Sequence, residues 1–383
     1  MAKVEGKGIR LISVRSKPVV AQVPRETRPA SIVPEIAMRA GNPGQRTWRV
    51  PAPDQPCKRA VYITWWDLCE VGFELKWGFL QHSRDWSFEC LSAGSSWISE
   101  RVDYRADQTD PGGHDFAVFS DRARLADVVH LCEGHTYPAL MHLQPGKRMV
   151  MHHHGVAYRN NPGLYERQEV EAGYLRLVST PDLLIYGGRR YRKTLCWLPN
   201  PITLTEMDRT FPAWEERSAN APVVVAHGWT VKTNKGTDQF EAIISDEMRR
   251  GTNLEYAPIN HVQRRQSLWY ISQCDVYFAT FLYGPGMATI EAMALGKPVL
   301  VGCNNEELAA QRQCYGKELP FLHVTPETCG QVLRDLAADP DLRREYGDRG
   351  RKAVERLHDT PQVVKRLSGL YEQTEPSKAV VTR

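Results

Sequence analysis

Short apolar runs alternate along most of the chain with segments whose apolar residues recur every three or four positions. The runs predict buried strands, and the periodic segments predict amphipathic helices. In the first half, the predicted strands are residues 60–66, 86–90, 115–119, 127–131, 147–154 and 175–178. The predicted helices there are residues 71–80, a segment opened by Pro138 and a segment that follows Gly163.

The alternation resumes after residues 197–201, where two prolines exclude both a helix and a central strand. We interpret this segment as a hinge. Beyond it, the predicted strands are residues 222–226, 253–256, 275–278 and 297–301. The predicted helices are residues 237–244, 262–273, 287–295, 337–357 and 363–371. Because such alternation produces βαβ units, the sequence predicts an α/β protein with two Rossmann-like parallel-sheet domains.

The composition fits this class and excludes others. The chain has 383 residues, of which 42% are hydrophobic and 25% are charged, as in ordinary globular proteins. No apolar stretch reaches the roughly 20 residues of a membrane-spanning helix, and Arg10 interrupts the short apolar stretch at residues 9–14. The nine cysteines include no CxxC pair. We therefore expect no signal peptide, no disulfide framework, no zinc site and a cytoplasmic location.

Positive charge is concentrated at the beginning of the chain. Residues 1–50 contain 10 Lys and Arg against 3 Asp and Glu, a net charge of +7, in a segment rich in proline and glycine. A second basic run covers residues 189–193. Such runs bind polyanions in some proteins and are solvated extensions or straps in others. Nucleic acid is therefore retained as a partner hypothesis, beside the simpler structural interpretation.

The most informative stretch is residues 283–301. Gly284 and Gly286 allow a close approach of the backbone to a ligand after a predicted strand. The helix predicted from Met287 directs unpaired N–H groups at this loop, which favours a phosphate. Glu291 lies one turn into the helix, where a carboxylate can hold the hydroxyls of a ribose. The alternative is a glycine-rich turn with a capping glutamate.

A second loop, residues 227–237, follows the strand predicted at 222–226 and contains Gly228, Lys232 and Lys235. Both loops follow parallel strands, so both are expected at the carboxyl edge of one sheet, where open α/β sheets bind ligands. Two ammonium groups beside a helix N-terminus would neutralise a diphosphate leaving group. The alternative is a pair of solvated surface lysines.

Three consecutive histidines end the strand predicted at 147–154. Side chains alternate along a strand, so His152 and His154 share a face that His153 does not, which makes a poor three-ligand metal site. We predict no bound metal. His154, at the carboxyl end of the strand, could orient or deprotonate an incoming hydroxyl. A purely structural histidine is the alternative.

The chain resembles the glycosyltransferases of family 4, which have the GT-B fold of two Rossmann-like domains facing each other across a cleft. The similarity covers roughly residues 60–375 and is stronger in the second half. It rests on IEAMALGKPV at 290–299, KGT at 235–237, VSTPDLL at 178–184, WLPNPI at 197–202 and DPDLRREYGDRGRKAVE at 339–355. These segments occur in the order that is typical of the family.

The resemblance implies a retaining hexosyl- or pentosyltransferase that uses a nucleotide-sugar donor and needs neither metal nor cofactor. Lys235 matches the family's diphosphate-binding lysine and Glu291 its ribose-binding glutamate. The N–H groups of Met287 and Ala288 match those at the donor phosphates, and His154 matches the histidine on the acceptor side. The acceptor hydroxyl belongs to an unspecified glycan, lipid or small molecule.

Two departures from the family's pattern concern the donor. Tyr283 stands eight positions before Glu291, where an EX7E pair would have its first glutamate, so the usual donor-sugar carboxylate is missing. The usual phosphate-binding arginine is also absent, and Lys232 is the candidate replacement, although lysine is a point charge without a bidentate fork. An inactive protein that binds the donor is therefore an alternative.

The charge distribution, the proline-containing hinge and the resemblance together suggest boundaries. Residues 1–58 form the basic extension, 59–200 the acceptor-side domain, 201–355 the nucleotide-sugar-binding domain, and 356–383 a C-terminal helix and tail. One alternative function is a DNA-directed glycosyltransferase that modifies a hydroxylated base. Another is a dinucleotide-dependent oxidoreductase, because Gly284 and Gly286 precede a helix and Glu306 follows about 20 residues on. Thr289 in place of the third glycine counts against it.

Overall fold

A computed structural model describes residues 57–64, 70–92, 104–105, 114–132, 146–162, 166–211 and 221–378. All of them belong to one compact unit, Ala52–Arg383. The basic segment 1–50 and the helix predicted at Pro138 lie outside the described residues, so the structure does not test what the sequence predicts for them.

The first domain is built on a seven-stranded parallel sheet. Its strands are β1 (Lys58–Thr64), β2 (Trp86–Ser92), β3 (Tyr104–Arg105), β4 (Val128–Cys132), β5 (Arg148–His153), β6 (Leu175–Val178) and β7 (Leu195–Trp197). Their order across the sheet is β3-β2-β1-β4-β5-β6-β7. The order reverses between β1 and β4, which is the arrangement of a dinucleotide-binding Rossmann sheet and opens a crevice at the carboxyl ends of those strands.

Helices of the first domain are mostly short. They are α1 (Val71–His82), α2 (His114–Leu125), α3 (Gly155–Asn160), α4 (Glu166–Glu171) and α5 (Arg189–Arg192), with α6 (Leu204–Thr210) at the passage to the second domain. A 3-10 turn, Pro181–Ile185, follows β6.

The second domain has a five-stranded parallel sheet. Its strands are β8 (Val223–Trp229), β9 (Leu254–Asn260), β10 (Val276–Thr280), β11 (Val299–Val301) and β12 (Leu322–His323), in the order β12-β11-β10-β8-β9. Its helices are α7 (Thr237–Arg249), α8 (Arg264–Gln273), α9 (Met287–Ala294), α10 (Asn305–Tyr315), α11 (Pro326–Ala338) and α12 (Pro340–Leu357). The order reverses between β8 and β10, so the loops after these two strands flank the crevice of this sheet.

The strand predicted at residues 115–119 is wrong, because this segment lies in helix α2. Four of these five residues, 116–119, are apolar and fit a short buried strand, but the longer pattern is helical. Phe119, Ala123 and Ala126 are buried at spacings of four and three, while charged residues occupy the opposite face. Tertiary burial of that stripe against the sheet selects the helix.

The helix predicted at 337–357 is divided at Asp339. Its carboxylate Oδ1 accepts the N–H groups of Asp341 at 2.9 Å and Leu342 at 3.0 Å, which caps α12 and ends α11. The helices α10 and α11, and the short strands β3, β7 and β12, were not predicted. The three strands are too short and α10 is too weakly periodic to stand out from the sequence, whereas the apolar stripe of α11 (Cys329, Leu333 and Leu336) was a helical signal that the sequence analysis missed.

The last helix among the described residues, α13 (Thr360–Gln373), packs on the first domain. Tyr371 is fully buried, stacks on Phe79 with 6.1 Å between ring centroids, and its hydroxyl lies 2.7 Å from Nδ1 of His130. A Cβ on Gly78 of α1 would come within 2.2 Å of Thr360 Cγ2, so the two helices touch where a side chain is missing. The chain thus returns to its first sheet after completing the second.

None of the helices in the described ranges combines the length and the hydrophobicity that a membrane span requires.

Candidate functional site

Three loops of the second domain meet at the carboxyl edge of its sheet, and backbone hydrogen bonds tie them together. Phe281 N–H donates to Lys235 O at 3.0 Å, which joins the loop after β8 to the loop after β10. Gly284 N–H donates to Gly302 O at 3.1 Å, and Gly302 N–H donates to Thr280 O, which joins the loop after β11. The two loops predicted to form one site are therefore in contact.

Gly302 is a residue of this edge that the sequence analysis missed. A Cβ at this position would lie 2.6 Å from Phe281 Cα and 2.8 Å from the carbonyl oxygens of Phe281 and Val324. These are backbone atoms and cannot rotate away, so only glycine allows the loops to approach this closely. Its place directly after a buried strand was the available signal.

The backbone bends sharply before helix α9. Tyr283 and Gly284 both have left-handed conformations, with φ of 69° and 81°. Gly286 is the N-cap, and its N–H donates to Thr289 Oγ1 at 3.3 Å. The N–H groups of Met287 and Ala288 belong to the first turn, where an α-helix supplies no acceptors. The amides predicted to face a phosphate therefore lie at the N-terminal end of α9, next to the three joined loops.

The two predicted lysines lie on the loop after β8 in different environments. Lys232 is 43% exposed, and its Nζ lies 2.7 Å from Glu241 Oε2 and 3.5 Å from Asp238 Oδ1. The hydrogen bond to Glu241 raises the pKa of Lys232. Lys235 is half-buried, and its carbonyl receives the N–H of Phe281. Lys235 is thus fixed at the junction of the loops, whereas Lys232 is held by carboxylates of α7.

The floor beneath these lysines is neutral. His227 is buried, with its ring nitrogens 2.9 Å from Phe278 O and 2.9 Å from Thr237 Oγ1. Burial lowers the pKa of His227 to about 3, so the imidazole adds no charge near pH 7. A Cβ on Gly228 would lie 3.0 Å from the Tyr277 hydroxyl, so this glycine serves close packing between β8 and β10.

Glu291 is part of a buried ion cluster that joins the two domains. The residue is 4% exposed, and Arg264 Nε donates to its Oε1 at 2.6 Å. Arg264 Nη1 donates to Glu70 Oε2 at 2.8 Å and to Glu74 Oε1 at 3.1 Å, both on the first domain. Burial raises the pKa of Glu291, and the guanidinium of Arg264 opposes that shift. Sequence analysis missed Arg264 and its two partners on the first domain.

The histidine run separates onto two faces of the first sheet. The rings of His152 and His154 lie 4.2 Å apart between centroids, and His130 of β4 lies 5.3 Å from His152. His153 lies on the opposite face, with its Nε2 3.1 Å from Glu169 Oε2. Burial lowers the pKa of His154 to about 3, so its imidazole is neutral near pH 7. A neutral ring can accept a hydrogen bond from a hydroxyl, whereas a pKa this low makes it a weak base.

Tyr283 makes a contact with the first domain. The guanidinium of Arg159, on α3, lies 4.4 Å from the centre of the Tyr283 ring, and its Nε donates to Asp182 Oδ2 at 2.7 Å. A cation over a tyrosine face is favourable. Nothing in the sequence pattern linked these positions.

The described ranges contain no group of three or more His, Cys, Asp or Glu residues arranged to hold a metal ion.

No protein-family model matches the sequence, and no curated protein matches it. Solved structures are similar at the level of the fold. An α-glucosyltransferase in complex with UDP and a mismatched 13-mer DNA is 9% identical, with a TM-score of 0.61 over 82% of this chain and 99% of its own. A glycosyltransferase from Rickettsia africae ESF-5 is 11% identical, with a TM-score of 0.60 over 82% and 98%. Anabaena Alr3699/HepE in complex with UDP-glucose is 12% identical, with a TM-score of 0.52 over 82% and 99%.

These similarities define the class of fold. The two all-parallel α/β domains and the solved neighbours identify a GT-B architecture, as the sequence predicted. At identities this low, the similarity concerns the fold alone.

Proposed function

We propose that this protein is a glycosyltransferase that moves a sugar from a nucleotide-sugar donor to an acceptor hydroxyl. The observation that supports it best is the convergence of Lys235, the turn at Gly284 and Gly286, and the first turn of α9 at one sheet edge. A cation and unpaired amides on rigid elements suit a diphosphate.

In the proposed mechanism, the nucleotide diphosphate lies against Lys235 and the N–H groups of Met287 and Ala288. Negative charge develops on the diphosphate as the sugar bond breaks, so donors fixed there lower the barrier. Lys232 adds a second positive charge if the donor displaces its pairing with Glu241. Such electrostatic stabilisation needs no metal ion.

The acceptor hydroxyl approaches from the first domain, where the neutral imidazole of His154 can orient it. We assign no enzyme nucleophile, which fits a retaining transfer with the acceptor on the leaving-group face. The carboxylate of Glu291 binds the ribose hydroxyls of the donor. The two domains together exclude water, which would otherwise hydrolyse the donor.

The test is a panel of nucleotide sugars scored for nucleotide release, with and without candidate acceptors. We expect one donor to be turned over. Lys235→Ala should lower kcat/KM about 10²-fold, and Glu291→Gln should mainly raise the donor KM, by about 10-fold. Lys352→Ala, which changes an exposed lysine on α12, is the matched control. Turnover of no donor, or full activity of Lys235→Ala, would refute the proposal.

A second candidate is that the acceptor is a hydroxyl carried on DNA. The observation that favours it is the exposed basic segment formed by α5 and Lys193, where Arg189, Arg190 and Arg192 are all exposed. The neighbour described above was solved with DNA. Phosphate contacts by such cations dominate nucleic-acid affinity.

Titration of a fluorescent DNA duplex at increasing salt tests this acceptor. Arg189→Gln/Arg190→Gln should reduce the slope of log affinity against log salt by about 2, as expected for the loss of two phosphate contacts. Arg249→Gln/Arg250→Gln removes the same charge at the exposed end of α7 and should leave the slope unchanged. Equal effects of the two double variants, or no binding at low salt, would exclude DNA as the acceptor.

A further inference from the structure

Four ionisable side chains from both domains meet in one buried cluster. Glu70 and Glu74 come from the start of α1 in the first domain, and Arg264 and Glu291 come from α8 and α9 in the second. All four are at most 9% exposed as residues. One guanidinium thus joins three carboxylates across the junction of the domains.

Arg264 uses one nitrogen for its partner in the second domain and another for its partners in the first. Its Nε donates a hydrogen bond to Glu291 Oε1 at 2.6 Å, while its Nη1 donates to Glu70 and Glu74. The second oxygen of Glu74 is satisfied separately, since Thr203 N–H and the Thr203 hydroxyl both donate to Oε2. Glu74 is therefore a fixed anchor for the guanidinium, and the guanidinium is a fixed donor to one oxygen of Glu291.

The second carboxylate oxygen of Glu291, Oε2, differs from that of Glu74 in its hydrogen bonding. Among the described residues, none donates a hydrogen bond to its Oε2. A carboxylate accepts hydrogen bonds through both oxygens. The side chain is therefore held by one oxygen and oriented by it, while the other keeps its capacity to accept from a ligand.

From this geometry, we propose that Arg264 is a positioning residue for nucleotide binding: anchored by Glu70 and Glu74, it fixes the Glu291 carboxylate so that Oε2 accepts from the ribose diol. This inference rests on the proposed function, in which Glu291 binds the donor ribose. It adds that the first domain takes part in ribose recognition through Arg264, without itself touching the nucleotide.

An ion cluster that only holds the domains together would predict a different result. Its loss would weaken every ligand of the cleft equally, because the whole cleft would be loosened. A positioning role restricts the loss to ligands that have ribose hydroxyls. The distinction is therefore chemical, and it can be measured with paired nucleotides.

The experiment measures binding of UDP, GDP and ADP, and of their 2′,3′-dideoxy counterparts, by calorimetry. For the nucleotide that wild-type protein binds, we expect Arg264→Gln to weaken binding at least 10-fold and to change binding of the dideoxy form less than 2-fold. Arg265→Gln, on the next residue of α8 and exposed, is the matched control and should change neither. Circular dichroism of each variant checks that it is folded.

Two further variants keep the test decisive. Arg264→Lys retains the positive charge but lacks the planar guanidinium, and it replaces Arg264→Gln in the test if that variant does not fold. It should weaken binding at least 3-fold for the nucleotide with an intact ribose and leave binding of the dideoxy form unchanged. The double variant Arg264→Gln/Glu291→Gln should lose no more affinity for the ribose nucleotide than Glu291→Gln alone, because Arg264 acts through Glu291. Additive losses, or equal losses for ribose and dideoxy nucleotides, would overturn the positioning role while leaving the transferase proposal intact. Failure of wild-type protein to bind any of these nucleotides, together with no turnover of any nucleotide sugar, would overturn both.

Discussion

Acidification should destabilise the protein through histidines buried in neutral form, and His152→Leu tests this directly. His152 is fully buried, and both of its ring nitrogens lack a hydrogen-bond partner among the residues that the structure describes. Burial lowers its pKa well below 6.5, and the neighbouring His154 and His130 add to that shift. Leucine has a similar volume and no polar atom, so it removes the titrating group with little change in packing.

The sign and size follow from proton linkage. A histidine whose pKa is depressed on folding takes up protons more readily when unfolded, so the full stability is present above pH 6.5 and is lost as the pH falls. Below pH 6.5, each such histidine lowers the free energy of unfolding by about 1.4 kcal/mol for every unit that the pH falls. Burial lowers the pKa of His130 to about 3, so the loss continues through the whole range from pH 6.5 toward 3.

Urea unfolding, followed by tryptophan fluorescence between pH 7.5 and 5, measures the effect. We expect His152→Leu to leave the pH dependence of the unfolding free energy unchanged above pH 6.5 and to decrease it by about 1.4 kcal/mol per pH unit below that pH. At pH 7.5, it should also stabilise by about 1 kcal/mol, because an unpartnered buried polar group is removed. His82→Gln, at an exposed position, should keep the wild-type slope. An unchanged slope in His152→Leu would refute the reasoning.

Three other substitutions are expected to have graded effects on stability or activity. Arg176→Met removes a fully buried guanidinium that lies 2.7 Å from Glu169 and 3.3 Å from Glu166, so urea unfolding should show a loss of about 3–5 kcal/mol. Lys58→Met removes an ion pair whose side chains are more than 40% exposed, and the same assay should show a loss of less than about 1 kcal/mol. Gly302→Ala should separate the loops of the candidate site and raise the donor KM in the nucleotide-release assay, while an unchanged KM would show that the loops tolerate the added carbon.

Most of the second domain could be predicted from the sequence, because its strands are short apolar runs and its loops follow them directly. The predicted strand at 222–226 and the helix at 287–295 correspond to β8 and α9. The first domain was harder, since the five residues at 115–119 fit a strand locally and only their wider surroundings show a helix.

The candidate site was predicted only in part, for a physical reason. Parallel topology places consecutive loops at one edge, so the proximity of Lys235 and Gly284 follows from the order of elements. The contact of Arg264 with Glu74 joins residues 190 positions apart on different domains. Such a pairing depends on how two finished sheets meet, and no local pattern encodes it. The roles assigned to Lys235, Glu291 and His154 stay predictions.

The position of α13 has a consequence for how the chain matures on the ribosome. The residues that complete the core around Phe79 and Phe88, including Tyr371, are synthesised after the entire second domain. At about 5–20 residues per second, the roughly 160 residues between Phe211 and Tyr371 take on the order of 10–30 s to synthesise. During that interval the apolar residues that pack on α13 lack this part of their cover, so we expect the first domain to reach its full stability only after α13 has been made.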